Sequence, residues 1–219
     1  MRIIFRKIAI FVVFYLIWTN LWFFIFVKDI YSDPFYFISL FLYYLVSLAD
    51  VLIRPQEERR QDAIRDKYDK IMGLLIISTP IWYCLYIIEY RLLFSSSIDP
   101  SFSLLGIIIF MLGSIIFLTS RIHLGRFASG KLKIQEDHKL ITTGIYKYVR
   151  NPIYFGGLIG VLGMGLAFRS LVVVSVALVL DTYVFIKRIL REEELLEAEF
   201  GDEFTQYKKK TKRIIPFLY

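Results

Sequence analysis

The residues with the most chemical potential in this chain fall in two places. The first is a twenty-residue stretch, His138 to Gly157, in which His138, Lys139, Tyr146, Lys147, Arg150 and Asn151 form a basic polar loop that runs through Pro152 straight into an apolar segment. Proline fits the first turn of a helix and disfavours helical geometry in the residue before it, so the order predicts a helix that begins at Pro152 with Asn151 capping it. Free N–H groups and the positive end of a helix dipole would then lie beside several cations, an arrangement that suits a ligand bearing carboxylate or phosphate. The second place is the last apolar run, where Asp181, Arg188 and Glu192 are spaced by seven and four and therefore share one stripe of a helix. An acid such as Asp181 inside an apolar run costs about 2.5 to 3.5 kcal/mol at a bilayer centre, so it is expected to face a partner or cavity.

These residues need elements to hold them, and composition says which. Of 219 residues, 57% are hydrophobic, and the polar ones are concentrated in short connectors between apolar runs of membrane-crossing length. The reading is an all-α, polytopic membrane bundle in a single domain over residues 1–219. The net charge of +7 reports topology rather than nucleic-acid binding, because its Lys and Arg lie in those connectors. One cysteine, Cys84, excludes a disulfide framework, and no Cys/His spacing suggests a zinc site. Arg2, Arg6 and Lys7 precede an apolar run that extends to Val27 without a small-residue cleavage site, so that run is expected to remain as an anchor.

In order, spans are expected over Ile8 to Val27, Phe35 to Ile53, Ile71 to Phe94 with a kink at Pro80, and Phe102 to Ser120. A charged, solvated arm, Arg54 to Lys70, separates the second from the third. Residues 1–120 thus carry four spans, and residues 121–219 the loop, a helical hairpin and a polar tail. The hairpin consists of Ile153 to Phe168 and Leu171 to Ile186, giving about six transmembrane helices under a cytoplasmic cofactor cap. Gly156, Gly157, Gly160, Gly163 and Gly165 in its first arm allow a neighbouring helix to come close. Lys and Arg number three before the first span, then one, six, none and seven in successive connectors. That alternation places both termini, the charged arm and the motif loop on the cytoplasmic side.

Several ordered motifs carry a resemblance. Arg150-Asn151-Pro152-Ile153-Tyr154, preceded by His138 to Ile141 and Gly144-Ile145-Tyr146, is followed by Arg188, Glu192 to Leu196, Glu199 to Tyr207 and Arg213 to Pro216. Over Phe117 to Pro216 this order resembles the isoprenylcysteine carboxyl methyltransferase family, within a wider group that includes phospholipid methyltransferases and membrane sterol reductases. The resemblance implies S-adenosylmethionine as methyl donor, bound by His138, Lys139, Leu140, Ile141, Tyr146, Asn151, Pro152, Ile153, Tyr154 and Glu192. It places Arg188 at the acceptor, as the catalytic cation, and Asp181 is read with it on the acceptor side. Where the family usually has histidine this chain has Asn151, which replaces an imidazole contact with an amide that can donate and accept.

The implied function is methyl transfer to a lipophilic acceptor at the membrane, foremost the carboxylate of an isoprenylcysteine, with no metal and no nucleic acid. Phospholipid N-methylation and small-thiol S-methylation share the same donor loop and are the nearest alternatives. A nicotinamide-dependent sterol-type reductase would call for a dinucleotide site, and no glycine-rich fingerprint is present. A non-enzymatic membrane protein would leave the tail motifs unexplained.

Overall fold

The computed structural model describes residues 34–53, 81–90, 101–128 and 138–216, together with positions 8, 9, 12, 13, 17, 20, 21, 92 and 99. Most of the expected first span, the charged arm and the Pro80 kink lie outside the described residues. Among the described residues five α-helices have defined bounds: α1 (Pro34–Ile53), α2 (Ser101–Leu124), α3 (Pro152–Ala167), α4 (Leu171–Phe200) and α5 (Asp202–Lys210). Residues 81–89 are also helical. Among the described residues the only β feature is an isolated parallel bridge between Val149 and Lys212.

Among the described residues two stretches, Pro34–Ile53 and Ser101–Phe127, are long and apolar enough to cross a membrane, and Pro152–Ala167 is a shorter apolar helix. Burial runs opposite to that of a water-soluble bundle. Phe37, Phe41 and Leu45 on α1, Leu104, Ile108, Leu112 and Ile115 on α2, and Val172, Val176 and Val179 on α4 are exposed, whereas Ser39, Ser47, Asp50, Ser103, Ser114, Ser120, Arg121 and Asp181 are buried. An apolar exterior, with the polar side chains turned inward among the buried apolar ones, is what hydrocarbon solvent selects. Several of the inward serines satisfy themselves within their own helix, as Ser114 does by donating to the Phe110 carbonyl at 2.8 Å and Ser120 to Ile116 at 2.6 Å.

α2 and α3 pack antiparallel along a seam of small residues. A Cβ added to Gly106 would collide with the Ala167 backbone, one added to Gly163 with the Phe110 backbone, and one added to Gly156 would lie 2.6 Å from the Phe117 nitrogen. This bears out the close approach expected of Gly156 and Gly163; without a hydrophobic drive between helices in lipid, backbone-to-backbone packing supplies the attraction. Gly157 is different, since its nearest neighbour is the Phe185 ring at 3.7 Å.

The turn between α3 and α4 is tight, as the Arg169-Ser170 spacing predicts. Arg169 takes a positive φ of 54°, and its guanidinium is held by Ser103 at 2.8 Å and Tyr90 at 3.1 Å. Phe168, 1% exposed, stacks on Tyr36 at 5.1 Å and meets Tyr83 edge-on at 5.7 Å, so the turn is plugged into an aromatic core shared with α1 and the 81–90 segment. The Glu89 carboxylate accepts from the Ser170 hydroxyl and from the backbone of Val172 at 2.8 Å and Val173 at 2.7 Å. It therefore supplies from another segment the acceptor that an N-cap residue normally provides. α4 then continues without a break past the expected end of its span at Ile186, up to Gly201, whose φ of 51° turns the chain into α5.

Candidate active site

The site lies where α3 begins and α4 leaves its apolar half. Tyr154, in the first turn of α3, faces Arg188 and Glu192 on α4. Arg188 donates from Nε to the Tyr154 hydroxyl at 2.9 Å, and that hydroxyl donates to Glu192 Oε1 at 2.9 Å. Arg188 Nε also lies 3.3 Å from Glu192 Oε1, closing a triangle of three side chains. The exposed helix pair that spacing alone would allow is not what forms. Arg188 has only 2% of its side chain accessible, against 27% for Glu192, so a buried cation is fixed beneath an acid that still reaches solvent. The Tyr154 ring packs 5.0 Å from Phe185, on the same face of α4.

A second acid organises the surroundings. Glu193, 5% exposed, accepts from Arg150 Nε at 2.9 Å and Asn151 Nδ2 at 3.5 Å through one oxygen, and from Arg213 Nε at 3.2 Å and Nη2 at 3.1 Å through the other. Arg150 Nη1 also donates to the Thr211 carbonyl at 2.6 Å and the Lys208 carbonyl at 3.2 Å. Backbone bonds complete the clamp: Arg150 to Lys212 at 2.8 Å, Asn151 to Arg213 at 3.1 Å and Lys212 to Tyr148 at 3.1 Å. Two arginines around one carboxylate compensate a charge that burial would otherwise make costly. The motif loop and the tail are thereby stitched together at the mouth of α3.

The helix begins at Pro152 with Asn151 in the N-cap position, as expected, but the side-chain cap bond does not form. The Asn151 amide donates instead to the Arg213 carbonyl and to Glu193. The tail holds the residue at both its ends, since the Arg213 carbonyl accepts from the Asn151 backbone N–H as well as from its side-chain amide, each at 3.1 Å.

Tyr146, 4% exposed, lies behind this clamp. Its hydroxyl reaches the Ser120 carbonyl at 3.3 Å and its own carbonyl accepts from Tyr207 at 2.7 Å. Burial, then the Tyr207 and Glu192 oxygens nearby, push its phenol well above the usual range, against the pull of Arg121. The bond from Tyr207 ties Tyr146 to the tail side of the clamp. Arg121, which ends α2, is paired with Asp50 of α1 at 2.6 Å. His138 is stacked on Phe127 at 4.6 Å and meets Phe200 edge-on at 5.7 Å. Burial, with Arg126 adding to it and Glu199 opposing, lowers its pKa below 6.5.

Of the residues singled out by sequence, the fold joins Tyr154, Arg188 and Glu192 directly. It sets Tyr146 and Asn151 alongside and puts buried Pro152 and half-buried Ile153 at the helix start. Lys139 is exposed, with Leu140 and Ile141 half-buried after it. Asp181 is buried two turns before Arg188, and its Oδ1 has no hydrogen-bond partner among the described residues. Glu193 and the Asp50–Arg121 pair were missed. Three consecutive glutamates look alike by type, and what singles out Glu193, its place one turn after the fully buried Ile189, is known only from the fold.

Residues 102–203 match the family model described as phospholipid methyltransferase. The chain is 41% identical over 87 residues to the protein-S-isoprenylcysteine O-methyltransferase of Schizosaccharomyces pombe, covering 39% of this chain and 36% of that protein. It is 34% identical over 119 residues to a probable protein-S-isoprenylcysteine O-methyltransferase of Oryza sativa subsp. indica, covering 53% and 62%. It thus spans between about a third and three fifths of the length of these relatives. The fold matches the structure of the eukaryotic intramembrane Ras methyltransferase ICMT with a TM-score of 0.66 at 19% identity, over 97% of this chain and 77% of that one. Motif order and relatives thus liken the second half of the chain to protein-S-isoprenylcysteine O-methyltransferases and to the phospholipid methyltransferase model, and the fold is that of the intramembrane methyltransferase structure.

Proposed function

We propose that this protein transfers a methyl group from S-adenosylmethionine to the carboxylate of an isoprenylcysteine-like acceptor dissolved in the membrane. The observation that carries the reading is the Tyr154–Arg188–Glu192 triangle, a buried cation and a solvent-reaching acid held on one hydroxyl at the boundary between apolar and polar chain. The residues suit such a donor: Glu192 offers a carboxylate to an ammonium group, the basic loop with Lys139 attracts a carboxylate, and the rings around His138 offer a flat surface to a base. Tyr146, Asn151, Pro152, Ile153, Leu140 and Ile141 would complete the cradle.

S-Adenosylmethionine, when bound, supplies an electrophilic methyl on sulfur. The protein's own task is alignment and exclusion of water. An α-carboxylate is ionised at neutral pH, with a reference pKa of about 3.3 to 3.7, so its oxygen attacks without a general base. Arg188, locked at Nε by Tyr154, provides the fixed charge that orients it, and Asp181 lies deeper on the acceptor side. The same reading has six membrane helices in one domain, with motif loop, tail and both termini cytoplasmic, supported by the Lys and Arg alternation.

Calorimetric titration with S-adenosylmethionine tests the donor assignment. Glu192→Ala and Tyr146→Ala should weaken binding, while Arg188→Ala should bind donor and lose turnover. Unchanged affinity in both of the first two variants would remove the assignment. Radiolabelled methyl transfer to prenylcysteine analogues, phosphatidylethanolamine and thiols identifies the acceptor; labelling of either of the latter two, with none of the first, would replace it.

A further inference from the structure

Most cations at this end of the bundle are already matched by acids: Arg150 and Arg213 by Glu193, Arg188 by Glu192, Arg191 by Glu194 and Lys208 by Glu197. Lys147, Lys209, Lys210 and Lys212 are not. All four are exposed, and none has an acidic partner among the described residues. They belong to one surface, because the bridge between Val149 and Lys212 and the bond from the Lys212 amide to the Tyr148 carbonyl join the motif loop to the tail. α5 is fastened beneath by buried Phe204 and Tyr207. Within the same surface Tyr148 is 59% exposed and Ile215 41%.

The height of this patch relative to the bilayer can be read from both flanking helices. α3 starts its apolar course at Pro152, four residues after Tyr148. On α4 the exposed Tyr183 carries the Lys187 ammonium 5.8 Å from its ring centre, the aromatic and snorkelling-cation pair that marks a membrane boundary. Uncompensated lysines with an aromatic and an aliphatic side chain at that level meet phosphate on one side and acyl chain on the other. A soluble acidic partner would satisfy the charge and leave Tyr148 and Ile215 without a use. We infer that Lys147, Lys209, Lys210 and Lys212, with Tyr148 and Ile215, form a docking surface for the headgroups of anionic phospholipids in the leaflet bordering the site. The surface lies outside the triangle and does not depend on what is methylated.

The test uses the purified full chain, stripped of lipid in detergent and titrated with phosphatidylglycerol or phosphatidylcholine while bound lipid is counted by native mass spectrometry. Phosphatidylglycerol should bind more tightly on the order of tenfold, given what each juxtamembrane lysine contributes, and the preference should shrink in high salt. The triple variant Lys147→Gln/Lys210→Gln/Lys212→Gln should lose the preference, and the corresponding triple Lys→Arg variant should keep it, which separates charge from folding. Equal binding of the two lipids by the native protein, or a preference that survives in the glutamine variant, overturns the inference. So does capture of an acidic peptide by a protein that shows no lipid preference.

Discussion

Replacing Glu193 by alanine should release the tail from the motif loop, and the neighbouring Glu194 provides the contrast. Glu193 keeps 6% of its side chain accessible and Arg150 8%, whereas Arg213 keeps 23%. Breaking a buried pair from one side costs about 3 to 5 kcal/mol, because the remaining charge stays behind unmatched. Arg150 retains the Thr211 and Lys208 carbonyls, and Arg213 can turn to water, so the lower end, about 3 kcal/mol, is expected. Glu194 pairs with Arg191 at 2.7 Å, but with 63% and 38% of the two side chains accessible its removal should cost at most about 0.5 kcal/mol. Hydrogen exchange in detergent micelles reads the effect locally, at the amides of Arg150, Asn151 and Lys212 that carry the clamp. In Glu193→Ala these should open more readily by a factor of about a hundred, while in Glu194→Ala they should not change. Glu193→Gln, which keeps an acceptor and loses the charge, should fall between. If Glu193→Ala and Glu194→Ala protect these amides equally, the carboxylate does not hold the tail and the account of the site's framework fails.

Gly163→Ala should destabilise the bundle by about 1 to 3 kcal/mol or more by forcing α2 and α3 apart, whereas Gly160→Ala, whose new methyl would find only Phe110 Cδ2 at 4.0 Å, should be neutral or stabilising; thermal melting of the two variants decides. Glu89→Ala should cost about 1 to 2 kcal/mol by leaving the Val172 and Val173 amides without an acceptor, seen as faster exchange in the first turn of α4 with no change at its far end. His138 should titrate below 6.5 in nuclear magnetic resonance spectra. Because its folded pKa lies below its unfolded one, the unfolded chain binds the proton first as pH drops through 6.5, and stability should fall there until the folded pKa is passed. His138→Gln should flatten that acid limb, and an unaltered limb would show that His138 is not its source.

The elements were legible in the sequence because lipid imposes length and hydropathy so strongly. α1 and α2 appear within a few residues of the expected spans, and the hairpin turns at Arg169 and Ser170. The stripe of Asp181, Arg188 and Glu192 could be read because seven and four are helical multiples. What could not be read was which polar groups meet across helices. Asp50 and Arg121 are 71 residues apart and Glu89 and Ser170 are 81 apart; no periodicity links them. Asn151 illustrates the same limit, since its position fitted a cap and only the arrival of the tail at Arg213 drew its amide elsewhere. α4 outran its span because Lys187 to Phe200 are good helix formers that need no hydrocarbon around them.

The carboxylate of Glu89 and that of Asp50 both come from upstream of Phe102, where the methyltransferase match begins. A fragment cut to residues 102–203 would retain the triangle yet present Arg121 without its counterion and α4 with bare amides at its start. Such a piece should be degraded or aggregate unless the missing half is supplied alongside it. Swapping the front helices among relatives would therefore succeed only where the donor brings its own pair of acids at matching depths.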